Sequence, residues 1–228
     1  MKRIVTFCVL LICIGVNISF CEGPNDWAQF SRYKSQNDSI KSTQNGVRPK
    51  AIFMGNSITE GWLKEDPLFF EDNGFLCRGI SGQTSYQMLL RFREDVIELN
   101  PEMVVINAGS NDIAENNHPY NEDITFGNIV SMVELAQVNG INPILSTVLP
   151  AERFYWNENI VGIPEKIKSL NARLQKYAES NNLSFIDYYS VMVTDNAAMI
   201  PENTLDGVHP NLTGYKVMEP VILSILNE

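Results

Sequence analysis

Five short apolar runs separated by stretches of helical spacing constrain this chain more than any other feature. The runs are Ala51–Met54, Phe75–Cys77, Met103–Ala108, Ile144–Leu149 and Leu183–Ile186. Continuous apolar runs of this length suit strands buried on both faces, which is the condition of a parallel sheet. Between and after them the spacing predicts helices over Tyr86–Leu99, Ile124–Val138, Pro164–Ser180 and Tyr215–Leu226. Alternation of this kind argues for a parallel sheet covered on both faces and joined by right-handed crossovers. At 228 residues and 44% hydrophobic composition, the chain is long enough for one such domain, and no linker divides it.

In open α/β sheets, ligands gather at the C-terminal ends of the strands. The residues at those ends therefore carry the search for chemistry. The first strand ends in Gly55-Asn56-Ser57, which presents a hydroxyl either as a nucleophile or as an ordinary helix cap. The second leads to a turn holding Gly82, where a backbone N–H can approach a substrate closely or where the glycine merely serves the turn. The third is followed by Asn111, a side-chain N–H donor or a loop stabiliser. Only two histidines exist, His118 and His209. His209 lies three residues after Asp206, close enough for the acid to accept an imidazole N–H and leave the other nitrogen to take a proton. A solvated turn would give the same D-x-x-H spacing. His118, before Pro119, reads as a surface residue.

The blocks F-M-G-N-S-I-T-E-G-W, G-I-S-G-Q-T-S, I-N-A-G-S-N-D and D-G-V-H-P-N-L-T-G-Y occur in that order between about Ile52 and Leu226. Together they resemble the four signature blocks of the SGNH (GDSL-type) hydrolases, most of all the platelet-activating-factor acetylhydrolase-like branch and secreted bacterial acyl esterases. The resemblance implies a flavodoxin-like three-layer α/β/α sandwich with a five-stranded parallel sheet. It also implies ester hydrolysis with no cofactor and no metal. Carried onto this sequence, it makes Ser57 the nucleophile, His209 the base and Asp206 its orienting acid, with Ser57, Gly82 and Asn111 forming the oxyanion hole. Asn56 stands where the family usually has aspartate.

Trp62, Tyr155 and Trp156, with Phe69 and Phe70, offer flat apolar walls for a sugar ring or short acyl chain, or else core packing. The expected substrate is a short-chain ester, acetyl above others, of a small molecule or glycan, with a lysophospholipase or thioesterase as the alternative. A non-catalytic anion-binding module is the reading from another class.

Residues 1–21 have a charged start and an apolar run, the layout of a secretory signal, with lipid anchoring at Cys21 as the lesser option. Export to the periplasm or outside the cell is expected, without stable membrane insertion. Residues 22–50 form an extension, with a helix starting near Trp27, Phe30 and Tyr33 and connecting loop from Ser35 to Lys50; the hydrolase domain is 51–228. Past the signal only Cys77 remains, expected to be buried and unreactive. The formal charge of −10 becomes −12 without Lys2 and Arg3, and with no basic cluster this disfavours nucleic acid as a partner.

Overall fold

The structure, a computed structural model, describes residues 26–43 and 46–226; the expected signal and Cys21 lie outside them. Among the described residues a five-stranded, wholly parallel sheet has the order β2-β1-β3-β4-β5. Its strands are β1 (Ala51–Gly55), β2 (Phe75–Gly79), β3 (Met103–Ile106), β4 (Asn142–Ser146) and β5 (Ser184–Ile186). The chain runs outward from β1 to β2, then returns across β1 to β3. That reversal opens a crevice at the carboxyl ends of β1 and β3, where doubly wound sheets bind their ligands.

Alternation along each strand divides the core in two. Ile52, Met54, Val104 and Ile106 point to one face, covered by α4 (Ser85–Asp95), α6 (Glu122–Val138) and α7 (Ile163–Ser180). Ala51, Phe53 and Val105 point to the other, covered by α2 (Ser57–Glu65), α3 (Pro67–Asn73) and α9 (Leu212–Leu226). At β2, Gly79 has no side chain for a reason: a Cβ there would lie 2.3 Å from the backbone nitrogen of Glu60. Helix α2 can therefore rest directly on the end of the sheet.

The segment from Ser35, expected to be loop, is helical as far as Thr43 in α1 (Ser31–Thr43). Its inward face is polar, which is why an apolar period does not reveal it. The Asn37 amide oxygen accepts from Arg78 Nε and Nη2 at 3.1 and 2.7 Å, and its nitrogen donates to Asp95 Oδ1 at 2.7 Å. The Tyr33 ring lies under the Arg78 guanidinium, 4.7 Å from its centroid. Trp27 and Phe30 remain exposed.

Smaller differences also have local causes. The helix expected through Leu99 stops at Asp95, where Val96 leaves helical geometry (φ −129°, ψ −63°), and a 3₁₀ turn, Ile97–Leu99, follows. Strands β3 and β4 end at Ile106 and Ser146, short of Ala108 and Leu149, with one further backbone bond each, from Asn107 N–H to the Met54 carbonyl and from Thr147 N–H to the Ile186 carbonyl. Helix α9 begins at Leu212, three residues before the expected Tyr215. There Asn211 Oδ1 accepts from the Gly214 N–H at 3.0 Å and caps the turn. Cys77 is a buried free thiol. No helix among the described residues is long and apolar enough to cross a membrane.

Candidate active site

Ser57 is the first residue of α2, but it is not the cap. The cap is Asn56, whose side-chain oxygen accepts from the Ile58 N–H at 3.0 Å. Its Nδ2 donates to Ser110 Oγ at 3.2 Å. With Asn56 only 1% exposed, a carboxylate here would carry a desolvation cost and could not donate to Ser110, whereas the neutral amide does both tasks. The cap at Asn56 leaves the Ser57 hydroxyl free to face the fourth block. Ser57 Oγ lies 2.9 Å from His209 Nε2.

His209 comes from the loop before α9, and Asp206 folds back on it as the spacing suggests. Asp206 Oδ1 accepts from the Val208 and His209 N–H groups at 2.9 and 2.8 Å, while Oδ2 lies 2.8 Å from His209 Nδ1. Burial pulls the Asp206 carboxyl upward, but the Tyr155 hydroxyl and the His209 and Val208 donors outweigh it and hold the acid at about 2. It is therefore a carboxylate throughout the neutral range, fixed to accept from Nδ1. That geometry favours the tautomer with Nε2 open toward Ser57.

On the other side of Ser57, a pocket of about 390 Å³ contains Gly82, Asn111 and His209 in its walls. Gly82 has φ +79°, a conformation strained for any L side chain, although the space around it is open. Asn111, in the short helix α5 (Ser110–Ile113), donates from Nδ2 to the Gln83 carbonyl at 3.0 Å, which fixes the amide and leaves its second N–H for another acceptor.

Several supports of this turn carry no sequence signal of their own. Ser81 N–H donates to Glu60 Oε2 at 2.9 Å and its hydroxyl binds the same oxygen, while Arg32 of α1 pairs with Glu60 Oε1 at 2.9 Å. Burial works against ionisation of Glu60, yet Ser81 and Lys64 hold it at about 2. The wholly buried Arg91 joins Gln83 Oε1 (2.6 Å) to the Gly55 and Arg78 carbonyls at the ends of β1 and β2 (3.1 and 2.9 Å). Asp112, next to Asn111, accepts from Ser85 N and Oγ at 2.9 and 2.5 Å. Burial pushes the Asp112 carboxyl up, with Ser85 opposing. The turn bearing Gly82 is thus anchored to α1, α2, α4 and α5.

The apolar walls divide. Trp156 lines the pocket, its ring centroid 6.0 Å from that of His209. Its Nε1 donates to Asn116 Oδ1 at 2.9 Å, and Asn116 Nδ2 donates to the Gly82 carbonyl at 3.1 Å. Tyr155 bonds Asp206 rather than lining the pocket. Trp62 is a correction to the expected substrate wall: it is 2% exposed, stacked on Phe69 and Tyr215 at 4.8 and 5.3 Å in the core, where Phe70 also lies. The cause is register, because five residues of helix turn Trp62 well away from Ser57 and align it with Ile58. His118 is absent from the pocket lining; its ring lies 4.0 Å from that of Tyr86, tilted by 49°, with Nε2 3.9 Å from Asp112 Oδ1.

The sequence profile of the GDSL-like lipase/acylhydrolase family matches residues 53–217, which takes in all four blocks and both sides of the pocket. The chain belongs to that family. Among solved GDSL-type relatives, a candidate acylhydrolase from Bacteroides fragilis NCTC 9343 is 57% identical, with TM-score 0.86, over 90% of this chain and 98% of that one. A GDSL-like lipase from Bacteroides thetaiotaomicron VPI-5482 is 52% identical, with TM-score 0.85, over 88% of this chain and 98% of that one. An acetylxylan esterase of Xylanibacter ruminicola is 26% identical over 209 residues, covering 76% of this chain and 42% of that protein. This GDSL-type chain spans less than half the length of the curated relatives it matches.

Proposed function

We propose that the protein is a serine ester hydrolase working through an acyl-enzyme on short-chain, chiefly acetyl, esters, with an acetylated carbohydrate as the substrate class. The observation that carries the reading is the pair of distances linking Ser57 Oγ to His209 Nε2 (2.9 Å) and His209 Nδ1 to Asp206 Oδ2 (2.8 Å). His209 Nε2 takes the Ser57 proton as Oγ attacks the ester carbonyl carbon. The carbonyl electron pair moves to oxygen, which the Ser57 and Gly82 N–H groups and the Asn111 amide stabilise. Collapse of the intermediate expels the alcohol, protonated by His209, and water repeats the sequence on the acyl-Ser57 ester. An anion-binding module would have no use for the Asp206–His209–Ser57 chain.

Substrate class follows from the walls of the pocket. Apart from Trp156, no residue lining the pocket carries a large apolar side chain, so a long acyl chain would gain little burial beyond its first carbons. Trp156, with its indole N–H held by Asn116, offers a fixed apolar face suited to a sugar ring. The similarity to an acetylxylan esterase supports the same class. Export rests on residues 1–21 alone, and within the hydrolase reading 51–228 is the catalytic domain, braced by helix α1 of the extension.

A series of p-nitrophenyl esters tests the acyl preference, with acetylated xylo-oligosaccharide as a further substrate. The expected kcat/KM for acetate exceeds that for octanoate by roughly tenfold or more, as only Trp156 offers a large apolar wall against which added length could pack. Faster octanoate cleavage would replace this reading with a lysophospholipase or thioesterase type.

A further inference from the structure

Asp206 Oδ2 has a second partner besides His209. The Tyr155 hydroxyl, from the loop after β4 and 51 residues distant in sequence, donates to the same oxygen that faces His209 Nδ1. With the Val208 and His209 N–H groups on Oδ1, the carboxylate is held at four points. Resting on the Ser57–His209–Asp206 reading, we propose that Tyr155 is a positioning residue: its hydroxyl fixes the acid opposite the imidazole and moderates how strongly the two pair.

The geometry gives the hydroxyl two consequences. By sharing Oδ2 it draws negative charge away from the bond to Nδ1, so the imidazolium formed during the reaction is stabilised less than by an unshared carboxylate. It also ties the acid to the opposite wall. Tyr155 packs edge-on against Trp156, at 5.0 Å and 85°, and Trp156 reaches the Gly82 carbonyl through Asn116. The dipeptide Tyr155-Trp156 thus spans the pocket from the triad acid to the oxyanion turn. Burial and the neighbouring Asp206 push the Tyr155 phenol up to about 12, so it remains a donor over any working pH.

The groups facing the Asp206–His209 pair are few. Ser57 approaches from α2, and Trp156, uncharged, lies beside the His209 ring. Thr204 Oγ1 accepts from the Asp206 and Gly207 N–H groups in their own loop. Glu152 and Arg153, of opposite charge, line the groove on the other side of Asp206. Tyr215 of α9 donates to the Ile58 carbonyl and feels the Asp206 charge without bonding it. Tyr155 is the only side chain other than His209 bonded to Asp206 among the described residues.

The test compares wild type, Tyr155→Phe and Ser57→Ala in kcat/KM against pH on p-nitrophenyl acetate. Tyr155→Phe keeps the ring against Trp156 and removes only the hydroxyl. With Oδ2 no longer shared, Asp206 pairs more strongly with the imidazolium, so the acid limb moves upward by about half a pH unit. Plateau kcat falls about fivefold, the equivalent of one ordinary hydrogen bond, with KM little changed. An acid limb at the wild-type position overturns the role of Tyr155, even if kcat falls, because loss of packing lowers a rate without shifting its pH dependence. Turnover that survives in Ser57→Ala overturns the triad reading and this proposal with it. Loss of turnover in Ser57→Ala beside an unmoved limb in Tyr155→Phe overturns the proposal alone.

Discussion

Ser57→Ala is expected to lower ester turnover on the order of 10⁴- to 10⁶-fold, the range found when a triad nucleophile is removed and only binding and oxyanion stabilisation remain. The size of the loss follows from the neatness of the geometry. Ser57 Oγ lies 2.9 Å from His209 Nε2, His209 Nδ1 lies 2.8 Å from Asp206 Oδ2, and no other serine in the pocket touches His209. Ser81, which also lines the pocket, has its hydroxyl committed to Glu60. The fold should be unaffected, because Asn56 rather than Ser57 caps α2. Steady-state kinetics beside a thermal melt separates the effects: kcat falls with Tm unchanged. A decrease below about 10²-fold would place the nucleophile elsewhere, since that is less than the loss of a single oxyanion donor.

Asn111→Ala is expected to lower kcat about 10²- to 10³-fold with little change in KM, the signature of a donor used only once the oxyanion has formed. The amide is already fixed before substrate arrives, because Nδ2 donates to the Gln83 carbonyl at 3.0 Å. The same bond predicts a second effect. Its loss leaves a buried carbonyl without that partner, at a cost of about 1–3 kcal/mol, and Tm should fall. A variant that loses stability but keeps kcat would reduce Asn111 to a loop anchor.

How far the sequence reveals this site depends on what brings the residues together. Ser57, Gly82 and Asn111 follow three strands of one parallel sheet, so a shared edge is enough to gather them. Asp206 and His209 lie three residues apart, so a single turn joins them. Tyr155 and Asp206, Ser81 and Glu60, or Asn116 and Trp156 lie far apart in sequence, with at least one partner in a loop, where no period or motif records the contact. Helix α1 is hidden for a different reason. Its inward side chains, Tyr33 and Asn37, are held by Arg78 and Asp95 instead of by an apolar stripe.

Two residues near Ser57 illustrate the same limits. Asn56 departs from the family aspartate, and the structure shows its amide both accepting from the Ile58 N–H and donating to Ser110 Oγ, contacts that the sequence does not record. Trp62 looks like a substrate wall while its distance from Ser57 is counted along the chain. Counted around the helix it falls beside Ile58, and both enter the core. Aromatic residues near a nucleophile in sequence therefore need the helical angle before they are assigned to a pocket.

The central claim is that Ser57 is the nucleophile, and fluorophosphonate labelling tests it most directly. Wild-type protein treated with the probe, digested and examined by mass spectrometry should carry the adduct on the peptide containing Ser57, and Ser57→Ala should carry none. An adduct on another serine, or labelling that persists in Ser57→Ala, would contradict it.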